Sequence, residues 1–144
     1  ASQVPAAEKL SDILSKHKWD GIIGTWVDVD TKGEVYKVTY VWKLEDRVIE
    51  IVTSANELRT VAFMGVNAKN GEVFHMGADS TGGSSLGKWK IDDNGDALLE
   101  MVFTGGDGEQ GAMSIRHHKE DKDTMIVTIQ LAEPVKFKMT RVKR

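Results

Sequence analysis

From Gly24 onward the chain is a succession of short segments in which apolar and polar residues alternate, separated by turns rich in glycine, asparagine and aspartate. The turns recur about every 8–12 residues, the spacing of an all-β sandwich or barrel. Period-two alternation belongs to strands that bury one face. A run of consecutive hairpins leaves two open edges unless it closes, and closure alone removes them. Gly24-Thr25-Trp26 at the start of the first segment and Arg141 in the last suggest where this meander closes. The expected fold is all-β, a single antiparallel up-and-down barrel of about eight to ten strands with one N-terminal helix.

At 144 residues the chain fits one domain, a size that buries ~70% of its extended-chain surface. It divides into an N-terminal segment, residues 1–20, whose helix packs on the barrel, and a barrel domain, residues 21–144. With 19 basic against 22 acidic residues the formal net charge is −3. That balance offers nothing to hold a phosphate backbone, so nucleic acid is not an expected partner. No apolar run approaches the ~20 residues of a membrane span, and a soluble protein is expected. The absence of cysteine rules out disulfides, thiolate metal sites and a cysteine nucleophile. The polar, alanine-bearing start Ala1-Ser2-Gln3 reads as the end left by signal-peptide cleavage. The expected location is therefore periplasmic or secreted, with the cytoplasm as the alternative.

Pro5 to Lys18 reads as the helix. Proline suits its first turn, and Leu10, Ile13, Leu14 and His17 recur on one face. Ten strands follow, over residues 24–30, 35–42, 47–53, 58–66, 72–79, 86–91, 97–104, 112–118, 125–131 and 135–142. In the second, Tyr36, Val38, Tyr40 and Trp42 alternate with Val35, Lys37, Thr39 and Val41, so the aromatic face is expected to point inward. The fifth is ambiguous in parity, with Phe74 and Met76 on one side and Val73, His75 and Asp79 on the other. In the eighth, Met113, Ile115 and His117 form the more apolar face, which leaves His118 to solvent.

Two motifs fail on inspection. Asp28-x-Asp30-x-x-Gly33 looks like the start of a calcium loop, but Lys32 and Thr39 stand where oxygen ligands belong. Gly82-x-x-x-x-Gly87-Lys88 has phosphate-loop spacing, yet Trp89 replaces the required Ser or Thr and a strand follows instead of a helix. Gly24-Thr25-Trp26 and Gly87-Lys88-Trp89 echo each other, and the plainer reading is two strands that need the same bend.

The expected ligand-binding residues are Tyr36, Tyr40, Trp42, Trp89 and Phe103, with Met101 on the Phe103 face and His75, Asp79 and His117 as polar groups. Plain core packing is the competing reading for the rings, since a small barrel is either filled by its own side chains or holds one ligand. The inward faces also carry Thr, Ala and Gly, which leaves room. An inward His near Asp79 or Glu100 would suit an acid–base pair, so a small isomerase- or hydrolase-type enzyme is the alternative, alongside a metal-binding barrel. No catalytic residue, metal ligand or cofactor is assigned.

Gly24-x-Trp26 with the late Arg141 resembles the lipocalin-like (calycin) barrels. In that group the Trp closes the barrel floor and the Arg packs across its ring, so the resemblance implies barrel closure by Trp26 and Arg141. Trp42-Lys43-Leu44-Glu45-Asp46-Arg47, Asp79-Ser80-Thr81-Gly82-Gly83 and Gly87-Lys88-Trp89 are similar to a family of small, uncharacterised bacterial lipocalin-like proteins, over roughly residues 20 to 144. The family implies a calycin barrel that binds a small hydrophobic or amphipathic molecule. Some relatives bind haem through a histidine, and no haem motif is carried over here.

Overall fold

The computed structural model describes residues 8–143. A short helix, α1 (Leu10–Lys16), and a 3-10 turn, Asp20–Ile22, precede ten strands. These are β1 (Gly24–Asp28), β2 (Tyr36–Leu44), β3 (Val48–Ala55), β4 (Leu58–Val66), β5 (Val73–Asp79), β6 (Ser84–Ile91), β7 (Ala97–Thr104), β8 (Gln110–Asp121), β9 (Thr124–Gln130) and β10 (Val135–Arg141). Each strand pairs antiparallel with its neighbours in sequence. β1 also pairs with β10, setting Trp26 opposite Arg141 and closing an up-and-down barrel. The architecture is consistent with a calycin-like fold.

Turn chemistry fixes most boundaries. Asp46 and Asn56 adopt φ of 65° and 55° in the hairpins after β2 and β3, in the left-handed region that aspartate and asparagine tolerate best among non-glycine residues. β8 runs longer than expected because nothing in its sequence stops pairing until a register shift between Lys119 and Asp121. The helix is shorter than its periodicity suggests. Lys18 at φ 63° ends it, His17 becomes its exposed C-cap residue, and the expected Pro5 start lies outside the described residues.

Both glycines of the repeated Gly-x-Trp are required, for different reasons. Gly24 has φ 131°, with the Arg141 guanidinium beside it. Gly87 has no such backbone, and a β-carbon there would collide with the Glu100 carbonyl on β7. The shared-bend reading of this echo is therefore replaced by two local packing demands.

One end of the barrel is plugged by α1 and the 3-10 turn. Ser11 N–H donates to the Asp46 carbonyl in the β2–β3 hairpin (3.2 Å), and Trp19 Nε1 donates to the Gly95 carbonyl in the β6–β7 hairpin (2.9 Å). Lys119 Nζ on β8 donates to the Lys18 carbonyl. Arg141 adds donations to the carbonyls of Gly21, Ile23 and Lys122 and to the Asp123 carboxylate. Trp26, with its Nε1 donating to the Ile22 carbonyl at 2.9 Å, lies almost fully buried beneath that cation. The opposite end carries the β3–β4, β5–β6, β7–β8 and β9–β10 hairpins, and no helix of the described residues lies over it.

The β1–β2 connection owes its shape to one carboxylate. Asp28 is buried and accepts from the backbone N–H of Thr31, Gly33 and Tyr36 and from the Thr31 hydroxyl. Burial alone would raise its pKa, yet these donors together hold it below the ordinary aspartate value. This network gives Asp28 a structural role where the sequence superficially suggested calcium.

Candidate functional site: a barrel interior in two chambers

Strand parity decides which side chains reach the interior. Tyr36, Val38 and Tyr40 are buried on β2. On β5 the structure resolves the ambiguous parity. His75, Gly77 and Asp79 border the interior, while Met76 is 47% exposed on the outer face. On β8, His117 is buried, whereas His118 is exposed and paired with Asp96 across 2.7 Å.

The interior holds a cavity of about 460 Å³, within the range of ordinary small-ligand sites. Tyr36, Tyr40, Trp89 and Phe103 border it, as do Met101, His75, Asp79 and His117. Trp42 borders neither this cavity nor the smaller one described next. It shares the parity of Tyr40 but stands one step further along β2, beside the register shift between Trp42 and Leu44, half-buried against the core. Trp26 and Arg141 lie at the plugged end, outside both cavities.

The space exists because small residues face in. Ala62 on β4 stands opposite Gly77 on β5, and both border the cavity. Gly111 stands opposite Phe103, and a β-carbon there would meet the Phe103 ring at 2.6 Å, so the glycine lets that ring lie flat across β8.

A second cavity of about 220 Å³ lies under α1, bordered by Leu10, Ile13 and Leu14 from the helix and by Met64, Val73 and Ile91 from the barrel. Tyr40, Trp89 and His117 border both chambers and form the partition between them. Trp89 is central to it. Its ring centroid lies 5.0 Å from that of His117 and 5.9 Å from that of His75.

The site is electrostatically quiet. Burial lowers the His75 pKa to about 4. Burial does the same to His117, helped by His75 and opposed by its contacts with the Ala97 and Ile115 backbone, again leaving it at about 4. Both imidazoles are therefore neutral near pH 7. Nδ1 of His117 lies 3.3 Å from the Ala97 carbonyl, which places its proton on that nitrogen. Neither histidine owes its shift to a carboxylate. Glu100, one of the expected acid–base partners, turns outward and pairs with Lys90 at 3.0 Å. Asp79 is occupied at the open end, accepting from the Thr81 hydroxyl and from the N–H groups of Gly83 and Thr81, which hold its pKa below the ordinary value. Burial raises Tyr36 to about 12, and Tyr40 is pushed up further by burial and by Tyr36. Both phenols stay protonated.

Among the described residues no three His, Asp or Glu side chains are placed to hold a metal ion, and no helix is long and apolar enough to cross a membrane. The sequence reading missed the inward positions of β3 and β4, including Ile51, Thr53, Thr60 and Ala62. Their signal was the same period-two alternation, but without aromatic rings to draw attention to it. No protein-family model matches the chain, and no curated protein matches it either.

Proposed function

We propose that the protein binds a small hydrophobic or amphipathic molecule inside the barrel and performs no chemistry on it. The observation that carries this reading is the 460 Å³ cavity, bordered by the rings of Tyr36, Tyr40, Trp89 and Phe103. Protein interiors are packed like organic crystals, so a space of this size kept open by inward Ala62 and Gly77 needs an occupant to explain it. The resemblance to small bacterial lipocalin-like barrels supports the same reading.

The acid–base alternative is disfavoured by the site itself, because neither inward histidine has a carboxylate acting on it. A haem is also a poor fit, since among the described residues no lysine or arginine borders the cavity to meet its two carboxylates.

The test is binding of Nile red, an apolar reporter, followed by its own emission and by quenching of tryptophan emission. The parent should bind, and Ala62→Phe, which fills the cavity from its wall, should lose at least ~10-fold in affinity while remaining folded. Native mass spectrometry of the purified protein adds an independent reading of what co-purifies. A parent that takes up no dye and carries no small molecule would overturn the proposal in favour of a barrel whose interior serves packing alone.

A further inference from the structure

Two polar atoms of the site are sealed from solvent and make no hydrogen bond within the protein, Nε1 of Trp89 and Nδ1 of His75. The contrast with the plugged end is direct. Trp19 and Trp26 each donate their indole N–H to a backbone carbonyl, of Gly95 and Ile22. A buried donor without an acceptor is costly, and native proteins retain few of them. Both orphaned nitrogens belong to rings that border the large cavity, and the rings meet edge to face.

A second observation concerns charge. Among the described residues the cavity lining contains no lysine and no arginine, and its one carboxylate, Asp79, is already committed to Thr81 and Gly83. His75 and His117 are neutral. An ionised carboxylate drawn into this space would leave water without meeting a cation, which costs far more than burying a neutral polar group.

Resting on the binding reading above, we propose that the molecule held in the barrel is uncharged and carries a carbonyl acceptor, of the ketone, aldehyde or ester class, whose oxygen accepts from Trp89 Nε1. The apolar body lies along the Tyr36 and Phe103 side of the chamber, and the carbonyl points at the partition. Fatty-acid anions are excluded by the same lining. The hydrogen bond fixes orientation, and the rings and aliphatic walls supply most of the affinity.

Three probes with one skeleton separate the parts of this proposal: 2-acetylnaphthalene, 2-ethylnaphthalene and 2-naphthoate, each titrated as a competitor of Nile red. The ketone should bind about 3- to 10-fold more tightly than the hydrocarbon, the gain expected of one neutral hydrogen bond. The carboxylate should bind on the order of 100-fold more weakly than the ketone. Trp89→Phe should erase the ketone's advantage over the hydrocarbon. Because that variant also alters the partition, a second readout uses the parent protein. The Trp89 indole N–H resonance, identified by its absence in Trp89→Phe, should move downfield with the ketone and not with the hydrocarbon. Equal binding of ketone and hydrocarbon with an unmoved resonance would overturn the carbonyl assignment and leave the binding reading intact. Naphthoate binding as tightly as the ketone would overturn the neutral-ligand assignment. Failure of all three probes and of the dye would overturn both.

Discussion

The Arg141 guanidinium lies 4.5 Å from the centre of the Trp26 indole, and the two residues face each other across the β1–β10 ladder that closes the barrel. One cation thus covers the buried ring while tying the first strand, the 3-10 turn and the β8–β9 hairpin together. Trp26→Ala should destabilise by ~3–5 kcal/mol, the range for a large buried aromatic. Arg141→Ala should also destabilise, through lost packing of its stem and lost donation to the carbonyls of Gly21 and Ile23. Chemical denaturation of both single variants and the double should reveal a coupling of about 0.5–2 kcal/mol. Strict additivity would show that the two side chains contribute independently.

Acid should weaken the fold in a window set by the two inward histidines. Each has a folded pKa of about 4 against an ordinary 6.5. Between those values the unfolded chain binds more protons than the native one, so stability rises with pH. The contribution is fully present above pH 6.5 and is lost as pH falls toward 4, by up to about 3 kcal/mol for each histidine. Asp28, Asp79 and Asp123 have pKa values lowered from 3.8, so their losses come at more acid pH. Denaturation midpoints measured from pH 7 to pH 4 should fall steadily in the parent and much less in a His75→Phe, His117→Phe variant. An equal slope in the two proteins would show that these imidazoles titrate normally.

Asp28 offers a test of the β1–β2 connection. Asp28→Ala would strand three backbone N–H groups, those of Thr31, Gly33 and Tyr36. The expected loss is about 2–4 kcal/mol. Asp28→Asn keeps one acceptor oxygen and should recover part of it. Calcium should not change the melting temperature of the parent, because the carboxylate is already enclosed by its own loop. A calcium-dependent rise would contradict this assignment.

Strand order and closure were legible because turn residues and alternation act locally. The bounds of β4 and β7 coincide with their turn signals, and Trp26 with Arg141 indicated the closing seam. Parity on β8 was legible too, since the apolar Met113, Ile115 and His117 share a face. On β5 it was not, because this barrel is apolar on part of its outer surface as well. Phe63, Met76, Leu86 and Val102 are successive cross-strand neighbours, all 37% exposed or more. Hydrophobicity alone therefore cannot separate inside from outside there. Trp42 shows the other gap. Alternation tells which face a residue occupies but not its height along the barrel, which is set by the strand tilt and by the register shift beside Leu44. The partition was also beyond the sequence, because Tyr40, Trp89 and His117 come from three strands that meet only across the interior.

The plug at the closed end should prove the least independent part of the molecule. α1 is seven residues long and has no side-chain N-cap bond, far below the ~12–15 residues at which an isolated helix becomes even marginal. Its order must come from docking, and Leu10, with no exposed surface, is its anchor. Leu10→Ala should cost about 2–5 kcal/mol if the plug and barrel unfold as one unit. It should cost less in global stability if the helix undocks first, since the barrel would then survive the loss. Hydrogen exchange separates the two outcomes. In Leu10→Ala the amides of residues 11–22 should lose protection while those of β3 and β4 keep most of theirs, because the strand ladders stay closed through β1 and β10 without the helix. Trp19→Phe should show the same pattern more weakly, by removing the single bond to the Gly95 carbonyl. A uniform loss of protection across plug and strands would show that α1 is part of the barrel's cooperative core.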